Sequence, residues 1–325
     1  MRVKLSSFLQ WHLNIFIIQK LGWQISFYYL LVLGKLFYFL NGAERRRIVQ
    51  SIEIVYGDQR NGEELEAINK TVFRGIFAHY YEKLFNAYTD VCVLQTFFAE
   101  SIEAQSLSKL DAALENGRGV LFVTGHYGGI EYIPIFLADR GYPISVVAKF
   151  ATQQLKQACE ARSESFGLNI IDGNRPNDIL PNILQELRIN RIVFLECDEI
   201  EEWRPSQKER MVFLRKMIGV DRTINLIARR SKAALIFGVL HRFSLQEYRL
   251  VIQDGDDIQA QCGKPATSVG KAVLQCLEHY IYSHPGEWYQ WKNYEDIVSH
   301  QVPAPPGGKM TPALGWRPSH AEIAV

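Results

Sequence analysis

The sequence predicts an α/β protein: a mostly parallel central sheet covered by helices on both faces, with an N-terminal membrane-associated helical segment before it. Three observations carry this. From Gly119 onward, short apolar runs of strand length alternate with longer segments of helical period, the pattern of repeated βαβ units. The run Val120 to Val123 stops at Thr124-Gly125, and Gly128-Gly129 turn the chain into a new apolar segment, which reads as strand, turn and helix. Residues 1–42 are dense in aliphatic and aromatic side chains and poor in charge.

Composition sets the limits. With 325 residues, 47% of them hydrophobic, and a formal charge of +1, the chain can bury one large core or two modest ones. This is neither a disordered nor a nucleic-acid-binding composition. The five cysteines, Cys92, Cys159, Cys197, Cys262 and Cys276, form no CxxC pair, which suits a reducing compartment. Cys197, in a strand, reads as a small buried hydrophobe rather than a nucleophile.

Residues 1–42 read as a membrane-anchoring segment. The stretch from Trp23 to Leu40 approaches the roughly 20 residues needed to cross a hydrocarbon core, but it carries Lys35. A single span, a helix lying in the interface and a hairpin-like wedge all fit. Arg45, Arg46 and Arg47 follow, a cluster that favours the cytoplasmic side and anionic headgroups. No small-residue cleavage site follows a clean apolar run, so no removable signal peptide is expected.

Residues 43–107 form a helical subdomain, with apolar positions such as Ile48, Ile52, Leu65, Ile68, Val72 and Ile76 separated by polar ones. Residues 108–297 make up the α/β domain. A helix from Ser106 to Glu115, stopped by Asn116-Gly117, leads into the central strand. Helix 130–137 follows, with Glu131 in its first turn. Strand 144–149, helix 152–166, strand 169–171, helix 177–188 and strand 192–197 continue the alternation. A hairpin-like pair, 234–242 with 248–253, and a helix from 267 to 283 complete it. The tail 301–325, with Pro303, Pro305, Pro306 and Gly307-Gly308, is expected to be disordered.

The chemistry concentrates at the end of the first strand. Ligands of open α/β sheets bind outside the strands' carboxyl ends, and the glycines deliver His126 there. On one helix His126 and Glu131 would point about 140° apart, so their contact needs the glycines to fold the histidine back. A carboxylate on one imidazole nitrogen fixes the tautomer and leaves the other free to take a proton from a hydroxyl. The same residues also fit a strand cap and a carboxylate favouring a helix N-terminus. The spacing matches neither common zincin pattern, so no metal is expected.

The His126-X4-Glu131 pair, the strand before it and the order of blocks after it resemble the bacterial lipid A biosynthesis acyltransferases, within the glycerolipid acyltransferase superfamily. The resemblance runs from about Phe8 to about Tyr294. It implies catalysis by His126 and Glu131. It also implies a cytoplasmic-face location on the bacterial inner membrane, no cofactor, and an acyl-carrier protein or acyl-CoA donor. The acceptor would be a hydroxyl of a membrane glycolipid such as a lipid A precursor. A lysolipid acceptor, or hydrolysis of the thioester, is the alternative within that chemistry.

Arg162 matches an arginine of the family, with Arg175 a second candidate; a guanidinium fork grips phosphate or carboxylate. Asp198 matches the family's acidic residue at the end of strand 192–197. Arg204, Lys208, Arg210, Arg215, Lys216 and Arg222 crowd one segment, which fits a lipid phosphate or an acidic carrier protein as well as a solvated face. Phe213-Leu214-Arg215 stands where members carry a Phe and a Gly, which bears on substrate choice. Trp288 and Trp291, in the closing Pro-aromatic-Trp-basic stretch, read as a packing clamp over the site's edge.

Overall fold

The computed structural model describes residues 8–299 except Gln10, Gly22, Ala151, Arg175 and 263–267. The tail from Gln301 and the Arg175 candidate therefore lie outside the described residues.

Helices α1 (His12–Leu21), α2 (Trp23–Leu40), α3 (Gly42–Tyr56), α4 (Gly62–Tyr88) and α5 (Val91–Ser101) come first. Asn61 starts α4 with a capping box: its side chain accepts from the Glu64 amide while Glu64 reaches back to the Asn61 amide. The remaining chain alternates as β1 (Ile102–Ala104), α6 (Leu107–Glu115), β2 (Val120–Thr124), α7 (Ile133–Asp139), β3 (Ile144–Ala148), α8 (Gln153–Phe166), β4 (Asn169–Asp172), α9 (Pro176–Arg188), β5 (Ile192–Glu196), β6 (Pro205–Phe213), β7 (Lys216–Asp221), α10 (Arg222–Ser231), β8 (Ala234–Ser244), β9 (Glu247–Gln253), α11 (Gly255–Cys262) and α12 (Val269–Ser283).

Seven strands form one sheet in the order β1-β9-β8-β2-β5-β3-β4. All neighbours are parallel except β8 and β9, the hairpin-like pair expected from the sequence. β2 sits at the centre and is buried along its whole length, which is why it reads as an unbroken apolar run. Its side chains alternate between two cores. Leu121 and Val123 join α12, Trp288 and Trp291 on one face; Val120 and Phe122 join α6 and α7 on the other.

Two features have no clear counterpart in the sequence reading. β1 is three residues long and extends the sheet beside β9. The basic segment folds into an antiparallel hairpin, β6 with β7. Its turn residues Leu214 and Arg215 are both left-handed, at φ 46° and 68°, the conformation a glycine would adopt without strain.

At the N-terminus, no single helix among the described residues is long and apolar enough to cross a membrane. Only Ile25–Phe39 and Gly42–Tyr56 taken together reach that length and composition, and the two are bent by 96° at their junction.

Candidate active site

β2 delivers His126 to the carboxyl end of the sheet, and the loop after it is stitched down on both sides. The Gly128 amide donates to the Glu287 carbonyl, the Gly129 amide to the Leu240 carbonyl, and the Tyr289 amide to the His126 carbonyl. Gly128 has φ +56°, and a Cβ there would lie 2.0 Å from the Leu240 oxygen, so both the turn and the approach require glycine. The Gly128 and Gly129 amides are thereby committed to backbone bonds and are not free to bind an oxyanion.

The His126 ring is almost wholly buried, and its Nδ1 lies 2.9 Å from Asp198 Oδ1. Asp198, fully buried just past β5, also accepts from the His126 amide at 3.0 and 3.1 Å and from Trp288 Nε1–H at 2.7 Å. These bonds fix the imidazole's orientation and favour the tautomer with its proton on Nδ1. Nε2 faces a cavity, with Glu196 Oε2 at 3.3 Å and Glu199 Oε2 at 3.4 Å. Burial opposes an imidazolium, but the Glu196, Asp198 and Glu199 carboxylates outweigh it and raise the His126 pKa to about 10. Glu196 in turn is raised, first by desolvation and then by Glu199 and Asp198, against the pull of His126.

Glu131 lines the same cavity but meets other partners. The turn through Gly128-Gly129 and the 3₁₀ turn Ile130–Tyr132 aim it at α4, where Lys83 Nζ donates to it at 3.0 Å and His79 Nε2 lies 3.6 Å away. The carboxylate on the His126 ring is therefore Asp198, where the His-X4-Glu spacing suggested Glu131. Tyr289 connects the two clusters: its ring stacks on His79 at 3.5 Å and meets His126 edge-on at 4.9 Å.

The cavity is about 1430 Å³, larger than the roughly 300–1,000 Å³ typical of small-ligand pockets. It wraps the carboxyl edge of the sheet. Val146, Phe194, Ile135 and Leu155 line it on the α7–α8 side, and Val147, Leu195, Ile183 and Ile224 on the α9–α10 side. Consecutive strand residues thus line it from opposite faces of the sheet. A space of this size with these apolar walls can take long apolar chains, and His126 is part of its lining.

Over residues 3–293 the sequence matches the family model described as bacterial lipid A biosynthesis acyltransferase. The chain belongs to this family. A search of curated proteins found no match.

The acyltransferase brings most of the residues singled out in the sequence to this cavity. Arg162 is 6% exposed; its Nη2 donates to the Thr89 carbonyl, while Nε and Nη1 are buried without hydrogen-bond partners. Burial lowers its pKa, opposed by Asp90 and Cys159. Arg204 and Lys208 are exposed on the cavity rim, joined by Arg222 and Arg229 of α10. Arg210 does not line the cavity, and Arg215 turns away to the Val55 carbonyl and Asp58. Cys197 is buried, and desolvation pushes its thiol pKa well above the ordinary value.

In the acyltransferase, Trp288 does more than pack, since it donates to Asp198. Lys83 and His79 were not legible as site residues. The available signal was a histidine and a lysine four apart in a helix whose residues 75–82 are all buried. The His126, Glu196 and Glu199 donor atoms lie within 4.8 Å of one another, a spacing able to hold a metal ion. A metal would need Nε2 unprotonated, so it would compete with the proton those carboxylates favour.

Proposed function

We propose that this acyltransferase moves a fatty acyl chain from a thioester, carried by acyl-carrier protein or coenzyme A, to a hydroxyl of a lipid A precursor or related glycolipid. It does so at the cytoplasmic face of the inner membrane. The observation that carries this reading is an imidazole with Nδ1 held by buried Asp198 and Nε2 facing, beside Glu196 and Glu199, a cavity walled by apolar residues from both faces of the sheet.

Substrate entering between Nε2 and the Glu196 and Glu199 carboxylates weakens their hold on the Nε2 proton; once that proton is lost, the acceptor hydroxyl gives its own proton to Nε2 as its oxygen attacks the thioester carbonyl. Asp198 stabilises the imidazolium so formed, and the tetrahedral intermediate collapses as the thiolate leaves and takes the proton back. General-base help of this kind is worth about 10² to 10⁴ in rate. Glu131 acts through Lys83, keeping an ammonium on the cavity wall. That charge and the unpartnered Arg162 nitrogens favour the developing oxyanion or an acceptor phosphate. The rim cations Arg204, Lys208, Arg222 and Arg229 suit an acidic carrier. The inert, buried Cys197 argues against an acyl-cysteine intermediate.

The test is purified protein, an acyl-carrier thioester and a lipid A precursor, with product acylation followed by mass spectrometry. His126→Ala, folded by circular dichroism, should lose at least about 10² in rate. Full rate in that variant, or free fatty acid as the main product with acceptor present, overturns the proposal.

A further inference from the structure

The outer surface of α1 and α2 is used by neither the cavity nor the core. On α2, Phe27, Leu30 and Tyr38 are buried against the body of the protein: Phe27 meets Tyr81 edge-on at 5.8 Å, and Tyr38 meets Phe73 at 5.2 Å. A Cβ at Gly34 would lie 2.1 Å from the Phe77 ring, so α2 lies against α4 at its middle as well as towards both ends. The opposite face carries Ile25, Tyr28, Val32, Leu36 and Phe39, each half or more exposed and Phe39 83%. Their spacing of three and four residues makes one stripe. α1 adds Leu13 and Phe16, and Trp11 stands just before it.

The charge of this region is one-sided. Residues 1–43 contain no Asp or Glu, while exposed Lys20 and Lys35 flank or interrupt the stripe and exposed Arg45 and Arg46 follow it. Glu44, half-buried, is turned to the Tyr38 hydroxyl on the packed side of α2, so the exposed charges beside the apolar and aromatic stripe are cations, which suit the headgroup boundary of an anionic bilayer.

The geometry also limits how the segment meets that bilayer. Ile25 to Phe39 covers only about 21 Å along a helix axis, against roughly 30 Å of hydrocarbon. Crossing would require α2 to leave α4, because α4 carries charged Glu63, Glu64, Glu66, Lys70 and Arg74 and could not follow it into lipid. After α2 the chain turns by 96° into the Arg-rich start of α3.

We propose that α1 and α2 lie flat in one leaflet, with the Ile25–Phe39 stripe immersed and Lys20, Lys35, Arg45 and Arg46 at the headgroups, so that this chain binds the membrane without crossing it. The inference rests on the membrane-bound reading above and names the surface that does the binding. It also orients the site, since α4 meets α2 through Tyr81 and lines the cavity through Lys83.

The test reads depth rather than catalysis. In full-length protein with Cys92, Cys159 and Cys262 replaced by Ser, which leaves only the buried Cys197 and Cys276, one cysteine at a time at Tyr28, Val32 or Phe39 carries an environment-sensitive fluorophore. The vesicles are phosphatidylethanolamine and phosphatidylglycerol with spin-labelled lipids of graded depth. A flat segment places all three probes at one shallow depth, and Val32→Glu with Phe39→Glu lowers vesicle binding at least about tenfold without changing the fold. Depth that changes steadily from Tyr28 to Phe39 means a crossing helix and overturns the proposal. No quenching, with Val32 probes cross-linking between chains, means that a second copy covers the stripe and also overturns it. Shallow, uniform depth in a protein without transferase activity leaves this inference standing and removes the proposed function instead.

Discussion

Replacing Asp198 by Asn should disable the site while leaving the cavity intact. The carboxylate and the imidazole are buried together at 2.9 Å. At that distance two unit charges interact by about 6 kcal/mol at an effective dielectric of about 20. Breaking a buried pair costs about 3–5 kcal/mol in practice. Three donors converge on Asp198: the His126 amide, the ring Nδ1–H and Trp288 Nε1–H. An asparagine must turn its NH₂ toward one of them and cannot stabilise the imidazolium by charge. A loss of about 3–5 kcal/mol in stabilising the imidazolium lowers kcat by about 10² to 10⁴. KM for the thioester should hardly move, because Asp198 does not line the cavity. The assay is steady-state kinetics across pH, with Glu131→Gln beside it. Glu131 bonds Lys83, so Glu131→Gln should reduce the rate without reproducing the change in pH profile. The reasoning is refuted if folded Asp198→Asn keeps more than about a tenth of wild-type kcat. It is equally refuted if Glu131→Gln alters the profile as Asp198→Asn does.

Three further outcomes follow from the same geometry. Gly128→Ala combines a left-handed φ with a Cβ 2.0 Å from the Leu240 oxygen; it should cost at least about 2 kcal/mol, measured by denaturant unfolding, and lose most activity. Arg204→Glu with Lys208→Glu should raise KM for the acyl-carrier thioester about tenfold at low ionic strength, an effect that fades in high salt because both side chains are exposed. The His126 pKa is raised in the folded state, so its stabilising contribution is complete below the unfolded value near 6.5 and is lost as pH rises through about 10; the stability gap between wild type and His126→Asn should shrink across that window.

Local pattern made much of the architecture legible. β2 and β5 are central, so they read as continuous apolar runs, and Thr152, Asp221 and Ser268 cap helices with their side chains. The β6–β7 hairpin was hidden because lysines and arginines interrupt its alternation, and its turn uses Leu214 and Arg215 where a glycine would announce it. β1 is too short to show a period.

His126 was legible because glycines punctuate its loop, and Asp198 because it follows a strand at the same rim. The partner assignment was not legible. Sequence spacing makes Glu131 the near neighbour, whereas the parallel pairing of β2 with β5, Thr124 beside Glu196, brings Asp198 to the imidazole from 72 residues away. Lys83 and Trp288 reach the site only through tertiary packing, for which a single sequence carries no spacing signal.

The indole bond to Asp198 also has a temporal consequence. The base comes from residue 126 and its buttress from residue 288, close to the end of the matched region. A chain still emerging from the ribosome can complete β2 and even β5 while Asp198 lacks this donor and the loop lacks its ties to Glu287 and Tyr289. The site is thus incomplete in any nascent chain that has not yet reached residue 289, however well β2 and β5 have formed.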